Sequence, residues 1–403
     1  MAAAHGALQE AGEERMKERV GLVLTGGGAR AAYQVGALRA LAEIAPAGPV
    51  PFDVLAGISA GAINAVVVAA GAADFRGGTA RLAETWRTLT PDRVYRTGAI
   101  KMAATGGRWI RDLSGGGLLG GRSINYLLDS SPLRALLAEQ IPFARLRRQI
   151  RAGRLHGVAV SCTSYQTGEG VTFYEGAEEI RPWSRSNRVG VRARLTLDHV
   201  MASAAIPLFF PPVQLADGHY GDGCVRLVYP MSPAIHMGAT RIVAVSVRAD
   251  PPRQPAPAPP PPGTHLPLSQ IAGVMLNAVF LDSLDTDLER VERINRMLAE
   301  VPGGAIDRGD LRLRPLPVLA LRPSQDLGTL AEDEYHRFPG MLRYLLKGIG
   351  VGPSSGTDLL SYLAFEPIYL SRVMDLGYRD TMARRDEVEA FLRGGERSRA
   401  GSA

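Results

Sequence analysis

The first candidate for chemistry is Ser59, at the centre of Gly57-Ile58-Ser59-Ala60-Gly61. In G-x-S-x-G spacing a serine sits on a sharp strand-to-helix turn, with Oγ presented outward and small neighbours letting backbone pass close. The helix that follows directs its partial positive charge at an anion developing on a substrate carbonyl. This is how a nucleophile for acyl transfer is held. The same five residues also suit a plain tight turn with a small polar cap. A second feature lies upstream, in Gly26-Gly27-Gly28-Ala29-Arg30. Successive backbone N–H groups there can cradle an anion at the start of a helix. Beside an activated serine the cradle would be an oxyanion hole, in which one donor contributes about 3 to 4 kcal/mol.

Gly26, Gly28 and Ala31 also fit a dinucleotide-binding fingerprint. That reading needs an acidic residue at the end of the second strand, to hold a ribose. Asp53 stands at the start of that strand and Ser59 at its end. A P-loop fails as well, because no Gly-Lys-Ser/Thr follows the glycines.

The serine needs a base. A histidine triad in the order Ser, Asp, His would nominate His236 after Asp222. Only one strand–helix unit precedes Ser59, however, and His236 lies in Pro233-Ala-Ile-His-Met-Gly238, which reads as a helix end. His199 and His219 take structural roles. Asp222, in Gly221-Asp222-Gly223, is the other candidate. A carboxylate takes a serine proton directly when it lies within reach and burial raises its pKa. Spacing alone also allows a simple Asx turn there, like Asp217-Gly218 nearby.

The elements that must position these residues follow from the pattern around them. Val20–Leu24 reads as a buried parallel strand, residues 29–45 as an Ala/Leu-rich helix, and residues 52–56 as a second strand running into the Ser59 turn. Residues 62–73 make the next helix. Strand–helix alternation of this kind calls for an α/β sheet with helices on its faces. Core strands are expected at 155–164, 171–174 and 240–247, and a helix at 196–205. Residues 181–194 read as basic and irregular, and the glycine-rich stretch 98–122 as a lid. The proline-rich run 251–262 marks a boundary. Helices are expected at 266–300 and 357–393, and the apolar stretch 359–370 as a core helix or a membrane or subunit contact.

The chain of 403 residues carries a formal charge of +6, almost all of it as arginine spread along its length. Arginine can mark a surface that meets phosphate groups, on lipid or nucleic acid, but its even spread along the chain suits a GC-rich coding sequence that uses Arg in place of Lys, and no nucleic-acid partner is expected. Cys162 and Cys224 have no disulfide or metal-ligand spacing. Residues 1–20 lack the apolar core of a secretory signal, and no apolar run is long enough to span a bilayer. A cytoplasmic protein that touches membranes from the side is the expectation.

Taken together and in this order, the three segments resemble the patatin-like phospholipases. That family carries a Gly-rich loop with an Arg, then G-x-S-x-G, then D-G-G/A far downstream. Ala202-Ser-Ala-Ala-Ile-Pro-Leu-Phe-Phe-Pro-Pro212 before the aspartate and Pro230-Met-Ser-Pro233 after it resemble the family too. The resemblance covers roughly residues 19–247. It implies a three-layer α/β/α sandwich and a Ser59–Asp222 dyad with no catalytic histidine. The oxyanion hole would use Gly26, Gly27, Gly28 and the N–H of Ala60, with Arg30 supporting the loop or meeting a lipid phosphate. No metal or cofactor is implied. The expected reaction is hydrolysis of membrane phospholipid acyl esters, of phospholipase A or lysophospholipase type. A neutral-lipid lipase, a thioesterase, or a non-catalytic lipid- or partner-binding module are the alternatives. Two departures are Ala31, where many members have Gly, and Cys224 at the third position of the last motif. The expected organisation is a tail at 1–18, a catalytic domain at 19–250, a linker at 251–264, and a mainly helical region at 265–403 packed on that domain.

Overall fold

The computed structural model describes residues 18–96, 126–249, 268–301, 304–308, 311–331, 336, 343 and 357–394. The expected lid at 98–122 and the proline-rich run lie outside the described residues.

Strands β1 (Val20–Leu24) and β2 (Val54–Ile58) are buried at every position, as befits parallel strands covered on both faces. A 3₁₀ turn, Gly28–Ala31, precedes α1 (Ala32–Ile44). The helix thus starts later than its alanines suggest, because positive φ at Gly27 and Gly28 bends the chain first. Then come α2 (Ala60–Ala70), α3 (Phe75–Arg87), α4 (Ser131–Gln140), α5 (Phe143–Arg151), β3 (Gly157–Ser164) and β4 (Gly170–Gly176). Where the sequence reads as irregular, β5 (Trp183–Arg185) and β6 (Arg188–Arg192) pair as a tight hairpin. Next are α6 (Leu197–Ser203), β7 (Val213–Leu215), β8 (Gly218–Asp222), α7 (Ser232–His236) and β9 (Arg241–Val245). The C-terminal region holds α8 (Leu268–Phe280), α9 (Ser283–Ala299), the ribbon β10 (Ile306–Arg308) and β11 (Leu311–Leu313), and β12 (Val318–Leu321). It ends in α10 (Thr357–Leu363), α11 (Pro367–Ala383) and α12 (Arg385–Arg393).

The main sheet runs β12-β9-β1-β2-β3-β4-β6-β5, with β8 joined to β3 and β7 to β8. From β12 to β3 all neighbours are parallel; β4 turns antiparallel. Helices cover both faces. On one, α1, α2 and α11 enclose the larger core, around Leu22, Leu55 and Tyr33. On the other, α7 and α9 bring Met231, Ala234 and Leu284 onto Val23 and Val54. This is the three-layer α/β/α architecture that the resemblance implies.

The C-terminal region is mainly helical, as expected, but it also supplies the edge strand β12. That strand is four residues long and has no periodicity to announce it. Helix α11 lies against α1 at backbone contact. A Cβ on Gly36 would stand 1.9 Å from the Met374 carbonyl oxygen, and one on Gly377 would stand 2.1 Å from that of Tyr33.

Candidate active site

The register of β3 brings the two candidate catalytic residues together. Strand β2 ends with Ile58 opposite Ser161, so Ser59 is the next residue beyond that pairing. Strand β8 approaches antiparallel along the edge that β2 has vacated and ends with Asp222 opposite Cys162. Two strand ends therefore meet head to head on successive residues of β3. Both side chains are buried: Ser59 is 2% exposed and Asp222 0%.

Ser59 has φ 55° and ψ −131°, an uncommon conformation for a residue with a Cβ. Such strain costs about 1 to 3 kcal/mol and persists only where the surroundings impose it. The imposing group is Ser203, whose Oγ accepts from the Ser59 N–H at 2.9 Å and donates to the Ser161 carbonyl at 2.7 Å. Ser203 is fully buried at the end of α6. Gly61 permits the approach of α2 to β1, since a Cβ there would lie 2.4 Å from the Leu24 carbonyl oxygen.

Burial raises the Asp222 carboxyl from 3.8 to about 6, against hydrogen bonding from Ser59 and Cys224 that lowers it. Oδ1 accepts from the Cys224 N–H at 2.9 Å. Oδ2 is buried and completes no hydrogen bond within ordinary distance and angle limits. The Ser59 hydroxyl is thus close enough to influence the carboxyl without closing a good hydrogen bond. A loose contact that tightens when substrate binds is the ordinary state of an unliganded catalytic pair.

The glycine loop lies against this pair. A Cβ on Gly26 would fall 2.3 Å from Cys224 Sγ and 3.1 Å from Ser59 Cβ. Gly26 thus packs directly on the Cys224 thiol and on Ser59. On its other side the loop meets the C-terminal region: a Cβ on Gly28 would fall 2.3 Å from the Tyr362 carbonyl oxygen. Arg30 is 2% exposed. Its Nε donates to Ser361 Oγ at 2.6 Å, and its guanidinium lies 4.7 Å from the centre of the Tyr362 ring. Of the two roles expected for Arg30, loop support is the one this placement suits.

An apolar cleft opens from Gly28, Ser59 and Ala60. It is narrow and in part open to solvent. Its walls come from α2 (Ile63, Val67), α3 (Leu82, Trp86), α4 (Leu133, Leu137), the Ile206–Phe210 loop, and Phe365 of the C-terminal region. A chain of hydrogen bonds ties wall to floor: Trp86 Nε1 to Asn64 Oδ1, Asn64 Nδ2 to Gln34 Oε1, and Gln34 Nε2 to the Thr25 carbonyl.

His236, the histidine weighed as a base, and His199 and His219, given structural roles, stand elsewhere. His236 stacks on Trp183 with centroids 4.9 Å apart, its pKa lowered to about 4 by burial and by Arg185 and Arg188. His199 caps α6 with Thr196, and His219 contacts Gln166 at the surface. Among the described residues there is no group of three or more His, Cys, Asp or Glu that could hold a metal, and no helix is long and apolar enough to cross a membrane. The sequence reading missed Ser203, although it lies inside a motif already singled out, and missed Ser361, Tyr362 and Phe365.

Residues 22–235 match the model of the family described as patatin-like phospholipase. No curated protein matches the chain by sequence. Among solved structures, it is similar to VipD from Legionella pneumophila at 14% identity, covering 92% of this chain and 67% of that one, with a TM-score of 0.35. It is also similar to human GIVD cytosolic phospholipase A2 in complex with methyl gamma-linolenyl fluorophosphonate, at 14% identity and a TM-score of 0.40. That match covers 96% of this chain, which spans 60% of the human chain's length.

Proposed function

The chain belongs to the patatin-like phospholipase family, a family of lipid acyl hydrolases, and on that premise we propose that Ser59 and Asp222 form its catalytic dyad and cleave acyl esters of membrane phospholipids. The observation that carries this reading is the meeting of β2 and β8 on successive residues of β3. It puts a strained serine beside a buried carboxyl whose pKa is about 6.

In the proposed reaction the acyl chain lies in the cleft and its ester carbonyl sits over Ser59. Asp222 takes the hydroxyl proton as Oγ attacks. The oxyanion is held by the N–H groups of Gly27, Gly28 and Ala60, at the loop and at the start of α2. Gly26 packs between Cys224 and Ser59, so it also acts as the joint between loop and aspartate turn. Collapse breaks the ester C–O bond, and protonated Asp222 returns its proton to the leaving alcohol. Water then attacks the acyl-enzyme with Asp222 again as base. Arg30 holds the loop to the C-terminal region. The site works at the inner face of a membrane, which the protein contacts transiently.

The test is mass spectrometry after a fluorophosphonate probe, alongside fatty-acid release from phospholipid vesicles, for wild type, Ser59→Ala and Asp222→Asn. Labelling at Ser59 and fatty-acid release should both be lost in the variants. Full vesicle hydrolysis by Ser59→Ala would refute the dyad.

A further inference from the structure

Helix α8 has no charged residue in any of its thirteen positions. Ile271, Val274 and Met275 recur at i, i+3 and i+4 and are exposed by 42%, 65% and 65%. An isolated exposed apolar side chain is ordinary; a stripe along one face of an uncharged helix is not. The opposite side is anchored in the active-site surroundings. Asn277 Oδ1 accepts from Tyr362 Oη at 3.2 Å, and the Phe280 and Tyr362 rings lie 5.4 Å apart. The helix also packs on the turn Gly223–Val225, directly after Asp222.

A second feature lies just beyond that turn. Arg188 and Arg290 place their guanidiniums 4.6 and 4.7 Å from the centre of the Tyr229 ring. Arg188 heads β6 opposite Gly170, which pairs with Thr163, so it stands at the same end of the sheet as Asp222. A guanidinium held against a ring can still offer its N–H donors to an anion. Apart from the Arg188 Nε bond to Ser232 Oγ at 3.4 Å, no hydrogen bond or ion pair to a described residue uses those donors. The buried carboxylate acting on both, Asp287, has Oδ2 committed to the Met231 N–H at 2.9 Å. Val228, beside Tyr229, is exposed by 51%.

We propose that this face docks on an anionic phospholipid bilayer, with the α8 stripe entering the acyl boundary and Arg188 and Arg290 meeting lipid phosphates on either side of Tyr229. Apolar residues that penetrate and arginine with tyrosine at headgroup depth are what an interfacial site requires. The occupant is a membrane because an exposed apolar stripe and a cationic cluster both border the turn after Asp222, one packed on it and the other at the same end of the sheet. The inference rests on the lipid-hydrolase reading and names the surface that reading lacks.

The experiment is flotation of the full chain with neutral phosphatidylcholine vesicles and with vesicles containing phosphatidylserine. A soluble short-chain ester, assayed in parallel, reports folding and catalysis. Wild type should prefer the anionic vesicles. Val274→Asp with Met275→Asp should weaken vesicle binding by about a hundredfold, and Arg188→Gln with Arg290→Gln by about tenfold or more, on anionic vesicles only. Ester turnover should be unchanged in both. Wild-type-like flotation of both double variants would overturn the proposal. So would displacement of the Arg-dependent binding by millimolar inorganic phosphate with the α8 variant unaffected, since the arginines would then be a soluble-anion site. Face-dependent flotation without ester turnover would keep the docking surface and refute the hydrolase.

Discussion

The Ser59 turn and the C-terminal segment 361–377 build the same site by opposite means. The turn supplies the proposed chemistry from a few adjacent residues, held in a conformation that costs free energy. The segment carries no proposed chemical step, yet it closes the cleft with Phe365, backs Gly28 with the Tyr362 carbonyl, engages Arg30 through Ser361, and packs Gly377 onto α1. Local spacing encodes the first; the second is encoded by fit. Changing the turn should therefore remove rate and leave stability, whereas changing the segment should remove stability and lower rate with it.

The largest expected effect is at Ser59. Ser59→Gly should lower kcat by about 10⁴-fold or more, while raising stability by about 1 kcal/mol as the positive φ becomes acceptable. Kinetics and chemical denaturation of the same preparation check both halves. A stability loss would mean the turn is not strained. The reverse case is Gly377→Val, which forces a side chain into backbone only 2.1 Å away. Overpacking of this kind should cost about 3 kcal/mol, read as a lower denaturation midpoint, with kcat reduced because α11 no longer seats the loop's support. Arg30→Met lies between them. It keeps the volume and removes the donor to Ser361, so stability should move by less than about 1 kcal/mol while kcat falls about 30-fold. Equal losses of both would place Arg30 with the scaffold.

This contrast also explains what could be read from the sequence. The elbow and the glycine loop were legible because each needs particular residues at fixed spacing, and their alternation with apolar runs made the α/β class clear; Asp222, whose spacing also fits an Asx turn, was singled out only through the resemblance of the three segments taken in order. The pairing of β8 with the free edge of β3 was not legible, since Gly-His-Tyr-Gly-Asp has no apolar alternation to mark a strand. Ser203 looked like any small helical residue; its role exists only because α6 ends beside the elbow. Ser361 and Tyr362 lie more than 300 positions from Ser59, and nothing in their local pattern refers to it. The role of Gly36 was hidden in the same way, inside a helix with good propensity and against a partner far along the chain.

The dependence on pH sharpens the comparison, because it sets rate and stability against each other within one residue. Asp222 titrates near pH 6 in the folded protein, above its ordinary 3.8, because burial disfavours the charged form. The folded state therefore binds this proton more tightly than the unfolded state does, and stability falls as pH rises from about 4 through 6. The proposed base is needed ionised, so kcat/KM should rise over the same range and level off above it. A shift of that size corresponds to a ceiling of about 3 kcal/mol, and because an amide does not reproduce a protonated carboxyl's own contacts, 1 to 2 kcal/mol is the expected value. Asp222→Asn should thus be inactive at every pH. It should also be more stable than wild type at pH 8, by 1 to 2 kcal/mol, and no more stable at pH 4. Asp287, also raised to about 6, gives both proteins the same background slope, which the difference between them removes. Equal stability of the two at pH 8 would mean that the carboxylate is solvated by something other than Ser59 and Cys224, and a base so solvated would be too weak for the reaction proposed.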